Sequence, residues 1–391
     1  MMDLNEKNIS AAPEGGVLET PKRTLLQENW ILFRKNRLAM AGLVIFVLFF
    51  LIAVAGVFLT SGKDPIFDPA LVRLQEKLRP PLSKPNLETL KPEEIPPFGI
   101  YLFGTDDLGR DVFVRMLQGS WVSLTVGFVA VGIAVVIGVF LGGIAGYYGN
   151  KRIRLGHLLC PIFLGVGFAG LVSGKTVVGL VLLLLGLGAG TVIGSRGDSR
   201  ASQRVPVGLS VLFLNLFSVD VLITGLVDIM LCFPSFFLIL TVVALLPASI
   251  YNIMIIIGLT SWMGATRFVR AEFLSLREQD FVTAARALGL SSRRIIFRHM
   301  VPNAMAPVLV SATIGIATAI LTEAGLSFLG FGVPPPHATW GNILSNGKNF
   351  IFDAPWLTFV PGFAILVVVL AFNLFGEGLR DVLNPKLRER H

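Results

Sequence analysis

The four histidines (His157, His299, His337, His391) and two cysteines (Cys160, Cys232) are the residue types best suited to metal or nucleophilic chemistry. They are scattered. No HExxH pair sets two imidazoles on one helix face, and neither a G-x-S-x-G elbow nor a C-x-x-C pair occurs. Both cysteines sit in apolar runs and read as small buried hydrophobes with no disulfide framework. The run AGLVSGKT ends in Gly174-Lys175-Thr176 and imitates a phosphate-binding loop. A true one needs glycine where Ala169 stands, with a strand before it and a helix after it. Nucleotide binding is therefore not expected of this run. Arg196-Gly197-Asp198 carries only its charge. No catalytic constellation, metal site or cofactor site is expected.

Acids in apolar surroundings are the next group of interest. Asp220, Asp228 and Glu323 lie in or beside apolar segments. Such groups are costly in lipid and turn toward a cavity or a partner. A structural hydrogen-bonding or interfacial role is expected of them, and Asp228 comes just before the helix-breaking Phe233-Pro234. In FGTDDLGRD, Gly104 and Gly109 suggest tight turns, and Asp106, Arg110 and Asp111 carry charge. Arg110 and Asp111 are expected to pair locally. The segment reads as a turn and helix cap that seat a membrane entry, or as a contact for a soluble substrate-binding protein.

The elements that must position these residues follow from composition. Of 391 residues, 53% are hydrophobic and only 15% are charged, and mean hydropathy is +0.74. Soluble domains average about 25% charged residues, so there is too little polar surface here to cover a soluble fold. The chain reads as a polytopic membrane protein. A helix needs about 20 apolar residues to cross a bilayer. The runs that qualify, some only marginally, are 38–60, 124–145, 157–172, 176–193, 225–246, 253–268, 305–321 and 357–375. The first is expected to remain as an anchor, with no cleavable leader. The segment 207–217 is too short to span and reads as interfacial or buried.

Charge orients this map. With both ends inside, 23 of the 33 basic residues fall on the inner side, as short basic loops require. The net charge of +8 is thus topological and implies no nucleic-acid partner. The runs 157–172 and 176–193 form a hairpin that leaves six core spans when removed. The expected domains are a cytoplasmic tail (1–37), a first anchor (38–60) and an irregular proline-rich outer loop (61–117). A transmembrane domain (118–376, with an insertion at 151–217) and a cytoplasmic tail (377–391) follow. Gly138, Gly142 and Gly146 have small-xxx-small spacing, which permits close helix packing within the subunit or with a partner.

The inner stretch RAEFLSLREQDFVTAARALGLSSRRIIFRHMVP punctuates as two short helices. Asp280 is expected to cap a helix over 281–288, with Gly289 as its left-handed stop. Ser291 or Ser292 is expected to cap a second helix that ends before Pro302. Ala284 and Ala285 leave a small, close-approach face. A loop of this build is suited to docking.

TAARALG, nine residues, then HMVP resembles the EAA loop of ABC-importer permeases. Ala284, Ala285, Gly289 and Pro302 match, whereas Thr283, His299 and Val301 depart from the family's Glu, Ile and Leu. The stretches FGTDDLGRDVFVRMLQGSWVSLTVG, VDIMLCFPSFFL and EAGLSFLGFGVPPPHATWGNIL, and the tail GLRDVLNPKLR, are similar to the dipeptide/oligopeptide/nickel branch. The resemblance covers roughly 30–150 and 218–388. It implies an all-α fold of the type I ABC-importer class, with six core spans plus the inserted hairpin. It also implies a non-catalytic permease in the bilayer, with two ABC ATPase subunits, a second related permease and an extracytoplasmic binding protein as partners. Di- or oligopeptides are the implied cargo; nickel and glutathione are alternatives. A stand-alone ion-coupled transporter is the rival class, but it would need charged spans that are scarce here.

Overall fold

A computed structural model describes residues 25–62, 65–88, 90–149, 151–154 and 215–383. Among the described residues, five helices are long and apolar enough to cross a membrane: Arg37–Thr60, Val112–Tyr148, Ile250–Leu276, Ser292–Phe328 and Trp356–Leu383. A sixth crossing arises only if Val219–Cys232 and Ser235–Leu245, bent by 80°, count as one span. The expected span over 225–246 is therefore broken, at the proline that its sequence marks as helix-breaking. Pro234 cannot donate a backbone hydrogen bond, and the break falls at Phe233-Pro234. The hairpin 157–193, with the AGLVSGKT run and Cys160, lies outside the described residues, as do 207–214.

The helices are numbered α1 (Leu25–Lys35), α2 (Arg37–Thr60), α3 (Val112–Tyr148), α4 (Val219–Cys232) and α5 (Ser235–Leu245). Next come α6 (Ile250–Thr260), α7 (Trp262–Leu276), α8 (Asp280–Ala287) and α9 (Ser292–Phe328). The last are α10 (Trp340–Gly347) and α11 (Trp356–Leu383).

The central element is α3, against which α2, α4, α6, α7 and α9 all pack. Its glycines explain how. A Cβ added at Gly138 would overlap that of Ala265, and one at Gly142 would lie 2.8 Å from the Cβ of Val269. At Gly146 it would overlap Phe273. All three glycines face α7 of the same chain, so their spacing brings two backbones of one subunit together.

Fold and expectation differ at three further places. The fold is not purely helical: Arg152–Arg154 (β1) pairs antiparallel with Asn215–Ser218 (β2). This pairing sets 152–154 beside 215–218 and leads directly into α4, where the Val219 amide donates to the Lys151 carbonyl at 3.0 Å. Asp280 does not cap α8; it is the helix's first residue, and Gln279 occupies the cap position. Nor does the second loop helix stop before Pro302. It continues as α9 through a π-helical segment at Ile295–Met300. Pro302 falls in the first turn after that segment. Widening the helix to π geometry leaves carbonyls without an i+4 donor, which makes room for a proline.

Candidate functional site

Two groups of candidate residues lie at opposite ends of α3. The first surrounds α8. Its C-terminal turn closes on Gly289 at φ +74°, where the Leu290 amide donates to the Ala285 carbonyl at 3.2 Å. Among the described residues no atom crowds a Cβ built there, so the glycine answers a backbone requirement. One side of α8 is buried: Val282 and Ala285 pack with Val269, Phe273, Ile295, Met300, Ala304 and Val308. Thr283 and Ala284 are exposed on the other side. So are Phe281 and, at 80%, Leu288. The two alanines thus face opposite ways. Ala284 belongs to the free surface, whereas Ala285 belongs to the core shared by α7 and α9. Arg286 stacks its guanidinium 5.2 Å from the Tyr147 ring centroid near the end of α3.

The acids on α4 pair with arginines of α7. Asp220 takes hydrogen bonds from Arg270, and Asp228 accepts from Arg267 at 2.7 Å. The Asp228 pair is open to solvent, whereas the Asp220 pair is partly shielded. Between α3, α7, α9 and α11 lies a cavity of about 750 Å³. Its wall is largely apolar, with the hydroxyls of Ser261, Ser311, Thr318 and Thr322 and the charged Glu272 and Arg380.

The second group is the 61–117 loop, which is built on two carboxylates with no exposed surface, Glu76 and Asp106. Glu76 accepts from Arg79 at 2.9 Å and from the Asn86 amide at 3.0 Å. Asp106 accepts from the amides of Leu108 and Arg110 and from the Arg110 side chain at 2.7 Å. It also pairs with Arg115, in the first turn of α3. The expected Arg110–Asp111 pair does not form. Arg110 turns back to Asp106, and Asp111 caps α3 by accepting from the Phe113 amide at 2.8 Å. Burial pushes the Asp111 carboxyl up to about 6, opposed by its backbone hydrogen bonds and by Arg73.

Gly104 and Gly109 hold φ near +75° and +74°. A side chain at Gly104 would crowd the Trp356 indole at 2.7 Å, and one at Gly109 would run into the Arg73 carbonyl. Glu76 and Arg115 escaped the sequence reading. Charged residues of a loop and a helix start look solvated until the fold encloses them.

Comparison with known proteins settles what kind of chain carries these features. Residues 204–389 match the family model described as a binding-protein-dependent transport system inner membrane component. Residues 24–81 match that of the N-terminal TM domain of oligopeptide transport permease C. A dipeptide transport system permease protein of Alkalihalophilus pseudofirmus is 36% identical over 91% of this chain and 88% of its own length. The chain belongs to the binding-protein-dependent transport permeases, in the dipeptide/oligopeptide branch. The oligopeptide transport system permease protein of Bacillus subtilis is 32% identical, covering 97% of this chain and 96% of its own. A Haemophilus influenzae dipeptide permease protein is also 32% identical, covering 94% and 97%. The family and the apolar helices together make this permease a multi-pass protein of the inner membrane.

Proposed function

We propose that this permease is one of two membrane subunits of an ATP-driven importer of di- or oligopeptides. In this reading α8 is the coupling helix. Its exposed face (Phe281, Ala284, Leu288) enters a groove of a separate ATPase subunit, and Gly289 sets the angle at which it is presented. The observation that carries this assignment is the division of α8 into a free apolar face and a buried one (Val282, Ala285) locked onto α7 and α9. A short helix anchored in this way moves as one body with the two spans that flank it. ATP-driven closure of the ATPase pair can then bias the membrane helices between two states.

The 103–111 segment, held by Asp106 and Arg110, is the extracytoplasmic contact for a binding protein, and both chain termini face the cytoplasm. The cavity walled by α3, α7, α9 and α11 contributes to the cargo path. The chain's own chemistry is passive: hydrolysis belongs to the ATPase partners, and a second related permease completes the pathway.

Uptake of a labelled dipeptide by cells expressing Gly289 variants tests the assignment. Gly289→Val is expected to reach the membrane at normal levels and to abolish uptake, because a β-branched residue resists the left-handed conformation. Gly289→Asn, which tolerates it, is expected to retain most uptake. Wild-type uptake by Gly289→Val, or uptake that survives ATP depletion, would overturn the coupling role.

A further inference from the structure

Glu323 is fully buried in the last turns of α9, far from α8 along the same helix. Ser327 donates to it at 2.7 Å and Ser123 of α3 at 3.4 Å. Thr339 lies next to Trp340 at the start of α10. Thr339 is also the N-cap of α10, bonded reciprocally to Asn342: the Asn342 amide donates to its hydroxyl at 3.1 Å, and its own amide donates to the Asn342 side chain at 3.1 Å. Asn342 in turn accepts from Arg115 at 3.4 Å, and Arg115 pairs with Asp106. The link to Glu323 runs through α10 itself, because the Trp340 amide donates to the Ser123 hydroxyl at 3.4 Å and that hydroxyl donates to Glu323. The Trp340 indole donates to the Met116 carbonyl at 3.3 Å.

A largely buried polar chain therefore joins Asp106, Arg115, Asn342 and Thr339 at the start of α10, and the Trp340 amide and Ser123 continue it to Glu323. It begins in the loop segment 103–111 and ends on a single helix whose other end abuts α8. Buried groups of this kind are costly when left unpartnered, so the chain resists being broken one link at a time. The chain thereby ties the loop to α10 and to the Glu323 end of α9. The Ile295–Met300 end of that helix is in contact with Val282 and Ala285.

We infer that Glu323 is a positioning residue that conveys docking at the 103–111 loop to the coupling helix through α10 and α9. This rests on the permease reading above. Physical adjacency alone does not establish coupling, so the test measures coupling directly. ATP hydrolysis by the reconstituted four-subunit complex is measured with and without its dipeptide-loaded binding protein. The variants are Glu323→Ala, Glu323→Gln, Asn342→Ala and the Glu323→Ala/Asn342→Ala double.

Glu323→Ala is expected to keep basal hydrolysis within about twofold of wild type while stimulation falls by about fivefold or more, the lower range of ordinary coupling free energies. Glu323→Gln, which still accepts from the hydroxyls, is expected to restore most of the stimulation. The double variant is expected to lose little more than either single one, because both cut one chain. Full stimulation in Glu323→Ala, an equal fall in basal and stimulated rates, or strictly additive losses would each overturn the proposal. A wild-type complex that no binding protein stimulates would remove the permease reading, and the proposal with it.

Discussion

Arg286 lies over the face of Tyr147, its guanidinium carbon 5.2 Å from the ring centroid, and so pins α8 to the end of α3. The contact complements the apolar one beneath it, in which Val282 and Ala285 are buried against α7 and α9. Together they fasten an eight-residue helix that is too short to be stable alone. Cation–π contacts at exposed sites contribute about 0.5–1 kcal/mol. Tyr147→Ala is expected to speed hydrogen exchange of the α8 amides by several-fold and to lower uptake, whereas Tyr147→Phe keeps the ring and behaves as wild type. Hydrogen–deuterium exchange of the purified complex, read by mass spectrometry over 280–290, checks both.

The two neighbouring alanines should respond in different ways to the same substitution. Ala285→Asp places a carboxylate among Phe273, Ile295 and Met300 with no partner, so it is expected to cost several kcal/mol and deplete folded protein. Ala284→Asp meets solvent, so normal folding with lost uptake is expected. Size-exclusion yield in detergent, measured beside uptake, separates the two. Equal yields for both variants would contradict the opposite orientation of these side chains.

The α3–α7 seam is sensitive to a single methyl group. At Gly142 an added Cβ meets backbone, with the Arg270 amide nitrogen at 3.0 Å, and backbone cannot rotate away. Gly142→Ala is expected to cost about 1–3 kcal/mol through overpacking and to lower Tm by several degrees. Gly132, on the same helix, has no described residue near its missing Cβ. Gly132→Ala should be neutral or slightly stabilising, as alanine favours helix. Thermal unfolding of both variants in one detergent makes the comparison.

Asp111 gives the fold a defined pH response. Its carboxyl sits at about 6 in the folded chain against an ordinary 3.8. Burial therefore favours the protonated form, and Asp106 adds to this while Arg73 opposes it. Between those values the folded state holds a proton that the unfolded state releases. Stability from this group is thus greatest below about 4, falls as pH climbs to about 6 and is flat beyond, with a total change on the order of 3 kcal/mol. Asp111→Asn keeps a cap of similar quality and is expected to flatten that part of the curve. Unfolding midpoints of both proteins at intervals between pH 4 and 7 supply the test.

Much of this protein is legible in one dimension. Hydropathy over about 20 residues locates a span because the bilayer core has a fixed thickness. Five of the expected core runs fall within the long helices 37–60, 112–148, 250–276, 292–328 and 356–383. The short-range signals at Gly104, Gly109 and Gly289 were also readable, and each occupies a positive-φ turn. The loop's role as a carboxylate-centred structure was not. Nothing in the spacing of Glu76, Asp106 and Arg115 distinguishes a buried charge from a solvated one, because burial depends on what the rest of the chain brings against it.

The sequence alone determined the class of molecule and its family, since bilayer thickness and turn stereochemistry act on a few consecutive residues at a time. Tertiary structure decided which of Ala284 and Ala285 faces outward, that Arg110 turns to Asp106 and away from Asp111, and that Arg115 reaches Asn342. It also decided that β1 meets β2. These are choices among partners distant in sequence. A side chain's partner is fixed by helix rotation and approach distance, which are set only when α3, α7 and α9 pack together.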